Sequence, residues 1–206
     1  MFTVFASEIA GFGSVLDLGC GRGDVLAQAG VLSSSTVSGV DGHEPSLAAA
    51  KKAGYSRVTN SDVMSYLADQ EAASVDVVIA LDVIEHFIKA TGFNLIGEAT
   101  RVARHKVIFM TPNGFQYQAP APDNPFQEHL SGWTPQEFRD LGFTRFTGIN
   151  GLRPLRGEYS SPRIKPAKLG LLLSGATNSY VRTRPHRAFQ FIAVKDLQNS
   201  IKDPRG

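Results

Sequence analysis

The sequence predicts a doubly wound α/β domain whose ligand sits at the C-terminal ends of a parallel sheet, and three observations carry that expectation. Short apolar runs alternate with helix-like segments along the first half of the chain. The first run leads straight into a glycine-rich loop, and an acid stands at or just past the end of each of the first three strand-like segments. Strand and helix in repetition require crossovers over a parallel sheet, and such sheets bind ligands where their strands end.

The buried strands are expected at residues 14–18 (SVLDL), 36–40 (TVSGV), 75–81 (VDVVIAL) and 106–110 (KVIFM), with another near 57–59. Residues 46–53 follow Pro45 and stop at Gly54, the proline-start, glycine-stop pattern of a short helix. Residues 63–72 and 93–103 supply two more helices, the second placing Phe93, Ile96, Ala99 and Val102 near one face. Thr134-Pro135-Gln136-Glu137 is a capping box that opens a helix ending before Gly142. Residues 143–149 and 188–194 (AFQFIAV) read as two final strands. Between them Pro154, Pro162, Pro166 and Pro185 argue against a long regular element. The apolar stretch 169–173 (LGLLL) within it is expected to pack on the domain or, less favoured by residue statistics, to touch a greasy substrate.

A chain of 206 residues and 22.2 kDa suits one domain with an insertion. With 42% hydrophobic and 19% charged residues it is too apolar for disorder and too unbiased for a fibre. The lone Cys20 excludes an internal disulfide and a thiolate metal cluster, so a reducing, cytoplasmic location is expected. No basic leader opens the chain, and no stretch approaches the roughly 18 apolar residues that span a bilayer, so neither export nor an integral membrane position is expected. The net charge of +2 disfavours nucleic acid, but it is unevenly placed. Residues 151–187 carry eight basic residues against the single acid Glu158, a local +7 that leaves −5 for the remainder. This stretch reads either as a solvated surface or as a face toward an anionic substrate.

The most informative segment is 15–23 (VLDLGCGRG), a strand running into three alternating glycines. Glycine there permits positive φ and a close approach of ligand to backbone. The spacing differs from that of dinucleotide sites, and Asp24 at the helix start would repel a pyrophosphate, which disfavours a nicotinamide-dependent reductase. Asp17 would welcome an ammonium group, pointing to an amino-acid-bearing cofactor. Asp41 ends the second strand, either as acceptor for both hydroxyls of a ribose or as a turn aspartate. Asp62 follows the third, where it would meet an adenine amino group or cap the next helix, a part Ser61 can also play.

With residues 15–26, 38–47, Asp62 and 75–87 in this order, the chain resembles the class I S-adenosylmethionine-dependent methyltransferases over most of residues 14–149. The resemblance implies S-adenosyl-L-methionine as cofactor, its methionine end held by Asp17, Gly19, Gly21 and Gly23. It further implies the ribose on Asp41, the adenine at Asp62 and Val63, and Leu81 and Asp82 along the wall near the sulfonium. It also implies a Rossmann-like, mostly parallel seven-stranded sheet with an antiparallel last strand, in a single methyltransferase domain over 1–206 with a basic insertion at about 151–187. Where relatives carry a helical segment before the first strand, here only about 13 residues precede it. The site is therefore expected to be open, covered by the basic insertion, or completed by another subunit.

Methyl transfer from a sulfonium needs alignment, exclusion of water and sometimes a base. His86 and His129, from Asp82-Val83-Ile84-Glu85-His86 and His129-Leu130-Ser131-Gly132-Trp133, are the candidate bases, with Glu85 as the carboxylate that orients them. The alternative is that Glu85 and His86 merely brace the turn. Asp82, Glu85, His86 and His129 are also suitable ligand types for a divalent metal. They resemble the E-x-x-E-H plus distal histidine arrangement of small-RNA 3′-end 2′-O-methyltransferases and, more loosely, the quinone-biosynthesis O-methyltransferases. Asp82 stands where that pattern has Glu, and the site is expected to work without a metal. The leading expectation is O-methylation of a small molecule, sugar or lipid-linked saccharide, with the basic insertion meeting an anionic group. The alternatives are 2′-O-methylation of an RNA end, with Trp133 or Phe115 stacking on bases, and a cofactor-binding module without catalysis.

Overall fold

The computed structural model describes residues 1–197; residues 198–206 of the expected domain lie outside them. Seven strands form one sheet: β1 (Ser14–Leu18), β2 (Thr36–Asp41), β3 (Arg57–Asn60), β4 (Val75–Leu81), β5 (Ala103–Pro112), β6 (Arg145–Leu152) and β7 (Ala188–Asp196). Their order is β3-β2-β1-β4-β5-β7-β6, parallel except for β7, which runs antiparallel to both β5 and β6. The chain reverses direction across the sheet between β1 and β4, the switch point at which a crevice opens beyond the strand ends.

Alternation along the strands builds two cores. Leu16, Leu18, Val78, Ala80, Val107 and Phe109 face one side, where α4 (Val63–Ala68), α5 (Lys89–Val102) and α6 (Pro135–Asp140) pack. Val15, Val77, Ile79, Ile108 and Met110 face the other, against α1 (Phe2–Ile9), α2 (Asp24–Gln28) and α3 (Glu44–Ala53). Burial of both faces explains why the central strands are continuous apolar runs. The capping box at Thr134 forms as expected: its hydroxyl accepts from the Glu137 N–H while Glu137 accepts from the Thr134 N–H.

Four local expectations need correction. Helix α5 ends at Val102 and β5 begins at Ala103, three residues before the expected strand, because the chain passes from helix to strand without a loop. The buried face of α5 is Leu95, Ile96, Ala99 and Val102; Phe93 is 43% exposed and meets the Trp133 ring edge-on instead. Helix α4 stops at Ala68, short of residue 72. The basic stretch contains a ten-residue helix, α7 (Ala167–Ala176), followed by α8 (Asn178–Arg182). The prolines flank α7 rather than interrupt it, since none falls between Pro166 and Pro185.

The apolar run in α7 does not pack on the domain. Its buried residues are Gly170 and Ser174, while Leu169, Leu171, Leu172 and Leu173 are exposed. The reason is steric. A Cβ on Gly170 would lie 2.7 Å from both the Ile164 carbonyl oxygen and Pro162 Cβ, and Ser174 Oγ donates to the Asn150 carbonyl at 2.9 Å. Backbone comes too close on that side for leucine.

Candidate active site

A cavity of about 730 Å³ opens at the C-terminal ends of β1, β2 and β4. Asp17, Gly19, Gly21, Gly23, Asp41, Asp62, Val63, Leu81, Asp82, Glu85, His86 and His129, singled out from the sequence, all line it.

The glycine loop forms its floor. Gly19, Gly21 and Gly23 have φ of 65°, 51° and 79°, the left-handed region that side chains disfavour. A Cβ on Gly21 would meet nothing within 4 Å, so this backbone is bare toward the cavity, whereas one on Gly23 would lie 2.6 Å from the Tyr55 ring. The loop is locked to β2: Gly21 N–H donates to Asp41 Oδ2 and His43 N–H to Asp41 Oδ1, both at 2.7 Å. Each Asp41 oxygen keeps a further lone pair, so the carboxylate is held in place and still able to accept from a ligand hydroxyl.

Asp17 is buried and accepts from the Tyr55 hydroxyl at 2.5 Å. Burial raises its carboxyl to about 7 against the lowering effect of that bond, with the nearby Asp41 charge adding to the rise. Asp62 caps α4, with Oδ1 accepting from the Ser65 N–H at 2.9 Å, so the capping role is real and Oδ2 is left for the cavity. Asp82 sits at φ 55°, unusual for a residue with a side chain, and its Oδ1 accepts from Gln190 Nε2 at 2.7 Å. Burial lifts Asp82 to about 7, opposed by the Gln190 bond. Next to it, Glu85 is pushed well above the usual carboxylate range, first by burial and then by the Asp82 charge. Its Oε2 accepts from Thr111 Oγ1 at 3.0 Å, and its buried Oε1 has no partner among the described residues.

The two histidines meet because the 129–133 loop is sewn to the turn after β4. Leu130 and Ser131 N–H donate to the Glu85 carbonyl at 2.8 and 3.0 Å, and Ser131 Oγ accepts from the indole N–H of the fully buried Trp133. The His86 and His129 rings lie 5.0 Å apart, edge to face. His86 Nδ1 bonds the Glu128 carbonyl at 2.9 Å and His129 Nδ1 the Gln116 carbonyl at 2.7 Å. A carbonyl only accepts, so each Nδ1 carries the proton of the neutral ring and each Nε2 keeps its lone pair. Burial lowers both histidines below their ordinary value, which favours those neutral rings. Glu85, His86 and His129 offer ligand atoms within 4.8 Å of one another; Asp82 does not belong to this group.

Sequence reasoning missed Tyr55 and Gln190. Gln190 carried a signal, as the one polar residue in the apolar run 188–194. Two expectations about the substrate side fare differently. Trp133, packed between Phe93 and Phe138, has no exposed face for a base to stack on. Among the described residues none of the eight basic ones of 151–187 lines the cavity; that stretch contributes Gly157, Glu158 and Ser160, and the carboxylates of the cavity's wall face a single guanidinium, that of Arg22.

Residues 15–106 match the family described as "Methyltransferase domain". The whole chain is similar to a solved structure of a SAM-dependent methyltransferase from Archaeoglobus fulgidus, at 16% identity, covering 96% of this chain and 95% of that one with a TM-score of 0.60. It is similar also to the methyltransferase domain of bacterial CtHen1-CN (20% identity, 95% and 97% covered, TM-score 0.56). A third similar structure is magnesium protoporphyrin IX methyltransferase from Synechocystis PCC 6803 with bound SAM (16% identity, 94% and 76% covered, TM-score 0.52). No curated protein matches the sequence.

Proposed function

We propose that the chain, whose residues 15–106 match a methyltransferase-domain family, is a class I S-adenosylmethionine-dependent methyltransferase and that it transfers the methyl group to a hydroxyl of a small molecule, sugar or lipid-linked saccharide. The observation that supports this acceptor chemistry is the pair His86 and His129, each with Nδ1 on a backbone carbonyl and with burial favouring the neutral ring, in the same cavity as the glycine loop.

Bound in the cavity, S-adenosylmethionine supplies an electrophilic methyl on a positively charged sulfur. The protein's own residues fit that charge: the bare Gly21 backbone leaves room, and the buried carboxyls of Asp17 and Asp82 sit at about 7, poised to ionise beside a cation. In this reading Asp17 and the loop glycines take the methionine end, Asp41 the ribose, Asp62 and Val63 the adenine, and Leu81 and Asp82 the wall beside the sulfonium. The cavity would align an acceptor oxygen with the methyl group that the cofactor would supply, in line with the carbon–sulfur bond whose electrons would stay on a then uncharged sulfur. One imidazole Nε2 takes the hydroxyl proton, and the Glu85 main-chain carbonyl, accepting from Leu130 and Ser131, holds the loop of His129 beside the turn of His86. An acidic cavity wall favours a neutral acceptor end over an anionic one.

The unpartnered Oε1 of Glu85 favours a second reading in which Glu85, His86 and His129 hold a divalent cation that lowers the acceptor's pKa. Transfer of labelled methyl to panels of sugar, phenolic, lipid-headgroup and RNA acceptors tests both. Hydroxyl methylation lost in His86→Ala and His129→Ala supports the first. Activity abolished by chelator and restored by a divalent ion moves it to the second, and methylation of amines alone overturns both.

A further inference from the structure

Seven basic residues of the 151–187 stretch face solvent, Arg153, Arg163, Lys165, Lys168, Arg182, Arg184 and Arg187, and Lys165 and Lys168 stand at the start of a helix with an unusually apolar surface. Leu169, Leu171, Leu172 and Leu173 are 45%, 48%, 71% and 41% exposed along α7, and Leu171, Leu172 and the Lys168 stem border a shallow apolar groove on its outer side. A contiguous exposed apolar patch rimmed by charge marks an interaction surface. The sequence from residue 159 to 195 contains no acid at all.

We propose that the outer face of α7 docks the protein on an anionic lipid surface, with the leucines entering the headgroup boundary and the basic residues meeting lipid phosphates. A ten-residue helix is about 15 Å long, suited to lying in the interface and far too short to span it. Among the described residues no helix is long and apolar enough to cross a membrane. Apolar insertion and basic attraction are each weak alone, and α7 combines both. The charge also selects between occupants. A second copy meeting this patch across a two-fold axis would bring two uniformly basic surfaces together, whereas an anionic bilayer complements them.

The surface is mechanically joined to the catalytic cavity. Arg156 Nη1 donates to the carbonyl of Ser160, a cavity-lining residue, and Arg156 Nε donates to Ser174 Oγ on the inner side of α7, both at 2.9 Å. The docking surface is thus braced directly against one wall of the site, which suits an acceptor presented at a membrane. The docking itself does not depend on the acceptor chemistry proposed above.

Flotation of the full chain with vesicles, without cofactor or acceptor, tests the proposal. The protein is expected to float with an equal mixture of phosphatidylcholine and phosphatidylglycerol, to be released by salt, and to stay behind with phosphatidylcholine alone. Leu171→Glu with Leu172→Glu, and separately Lys165→Glu with Lys168→Glu, should each lower the floated fraction about tenfold while the melting temperature stays unchanged. Wild type that ignores the anionic vesicles overturns the proposal, as do variants that float as well as wild type. A dimer in sedimentation that the leucine variant dissolves, without vesicle binding, overturns it in favour of self-association.

Discussion

Gln190 reaches across from β7 to donate its Nε2 to Asp82 Oδ1 at 2.7 Å, joining two residues 108 positions apart at the mouth of the β4–β5 strands. Its other amide atom accepts from Asn150, so the side chain is held at both ends. Gln190→Leu removes the one donor that opposes the burial of Asp82, whose carboxyl then rises beyond about 7. A carboxyl with a raised folded pKa stabilises below its unfolded value and loses that contribution as pH climbs through the folded one. The variant should therefore lose about 1–3 kcal/mol, with a larger loss at pH 8 than at pH 5. Urea midpoints at the two pH values check this; an equal loss at both would show that only the Asn150 contact mattered.

Asp17 yields a prediction on the cofactor itself. Its carboxyl, raised to about 7, must ionise to pair with an ammonium group. Affinity for S-adenosylhomocysteine should then rise between pH 5.5 and pH 7.5, by about tenfold per unit at its steepest. Asp17→Asn should flatten the profile and weaken binding at the upper end. Titration calorimetry across that range decides; a flat wild-type profile removes Asp17 from the cofactor site.

How much of this was legible beforehand follows from what each signal depends on. The strands and the acids at their ends were readable because apolar runs and glycine spacing are local properties. The pairs Asp17–Tyr55, Asp82–Gln190 and Glu85–Thr111 were not, because each depends on which strands become neighbours. The meeting of His86 with His129 depends on N–H groups of Leu130 and Ser131 finding the Glu85 carbonyl. In α7 the hydrophobic pattern pointed the wrong way, since close contact with residues 162–164 at Gly170 and with residues 150–151 at Ser174 leaves no room for leucine on the inner side.

The histidines predict a pH–rate profile. Burial holds both below their ordinary value of 6.5, so each stays neutral further into acid than a solvated imidazole. If one is the base, kcat/KM for the acceptor, measured with S-adenosylmethionine saturating at every pH so that Asp17 does not enter, should rise through an acid limb centred below 6.5 and remain level above it. Removing the acting base should lower kcat by about 10²–10⁴-fold, and replacing the other should shift the limb with a smaller loss. An acid limb above 7, with either variant near wild-type rate, excludes both from proton transfer.

The glycine loop separates binding from folding within three residues. Gly21 and Gly23 both hold positive φ, so alanine at either incurs the left-handed penalty of about 1–2 kcal/mol. Beyond that they differ. The new Cβ of Gly23→Ala would lie 2.6 Å from the Tyr55 ring and 3.3 Å from Ala50 Cα, inside the packing of α3, and Tyr55 could retreat only by giving up Asp17. The Cβ of Gly21→Ala meets nothing within 4 Å among the described residues beyond its chain neighbours, and the Gly21 N–H bond to Asp41 survives because it belongs to the backbone. Gly23→Ala is thus expected to be the less stable by a further 1–3 kcal/mol or so, as overpacked cores are. Gly21→Ala should melt only slightly below wild type and yet lose most of the rise in melting temperature that S-adenosylhomocysteine produces. Should Gly21→Ala keep the full rise, the cofactor does not approach the backbone at this residue.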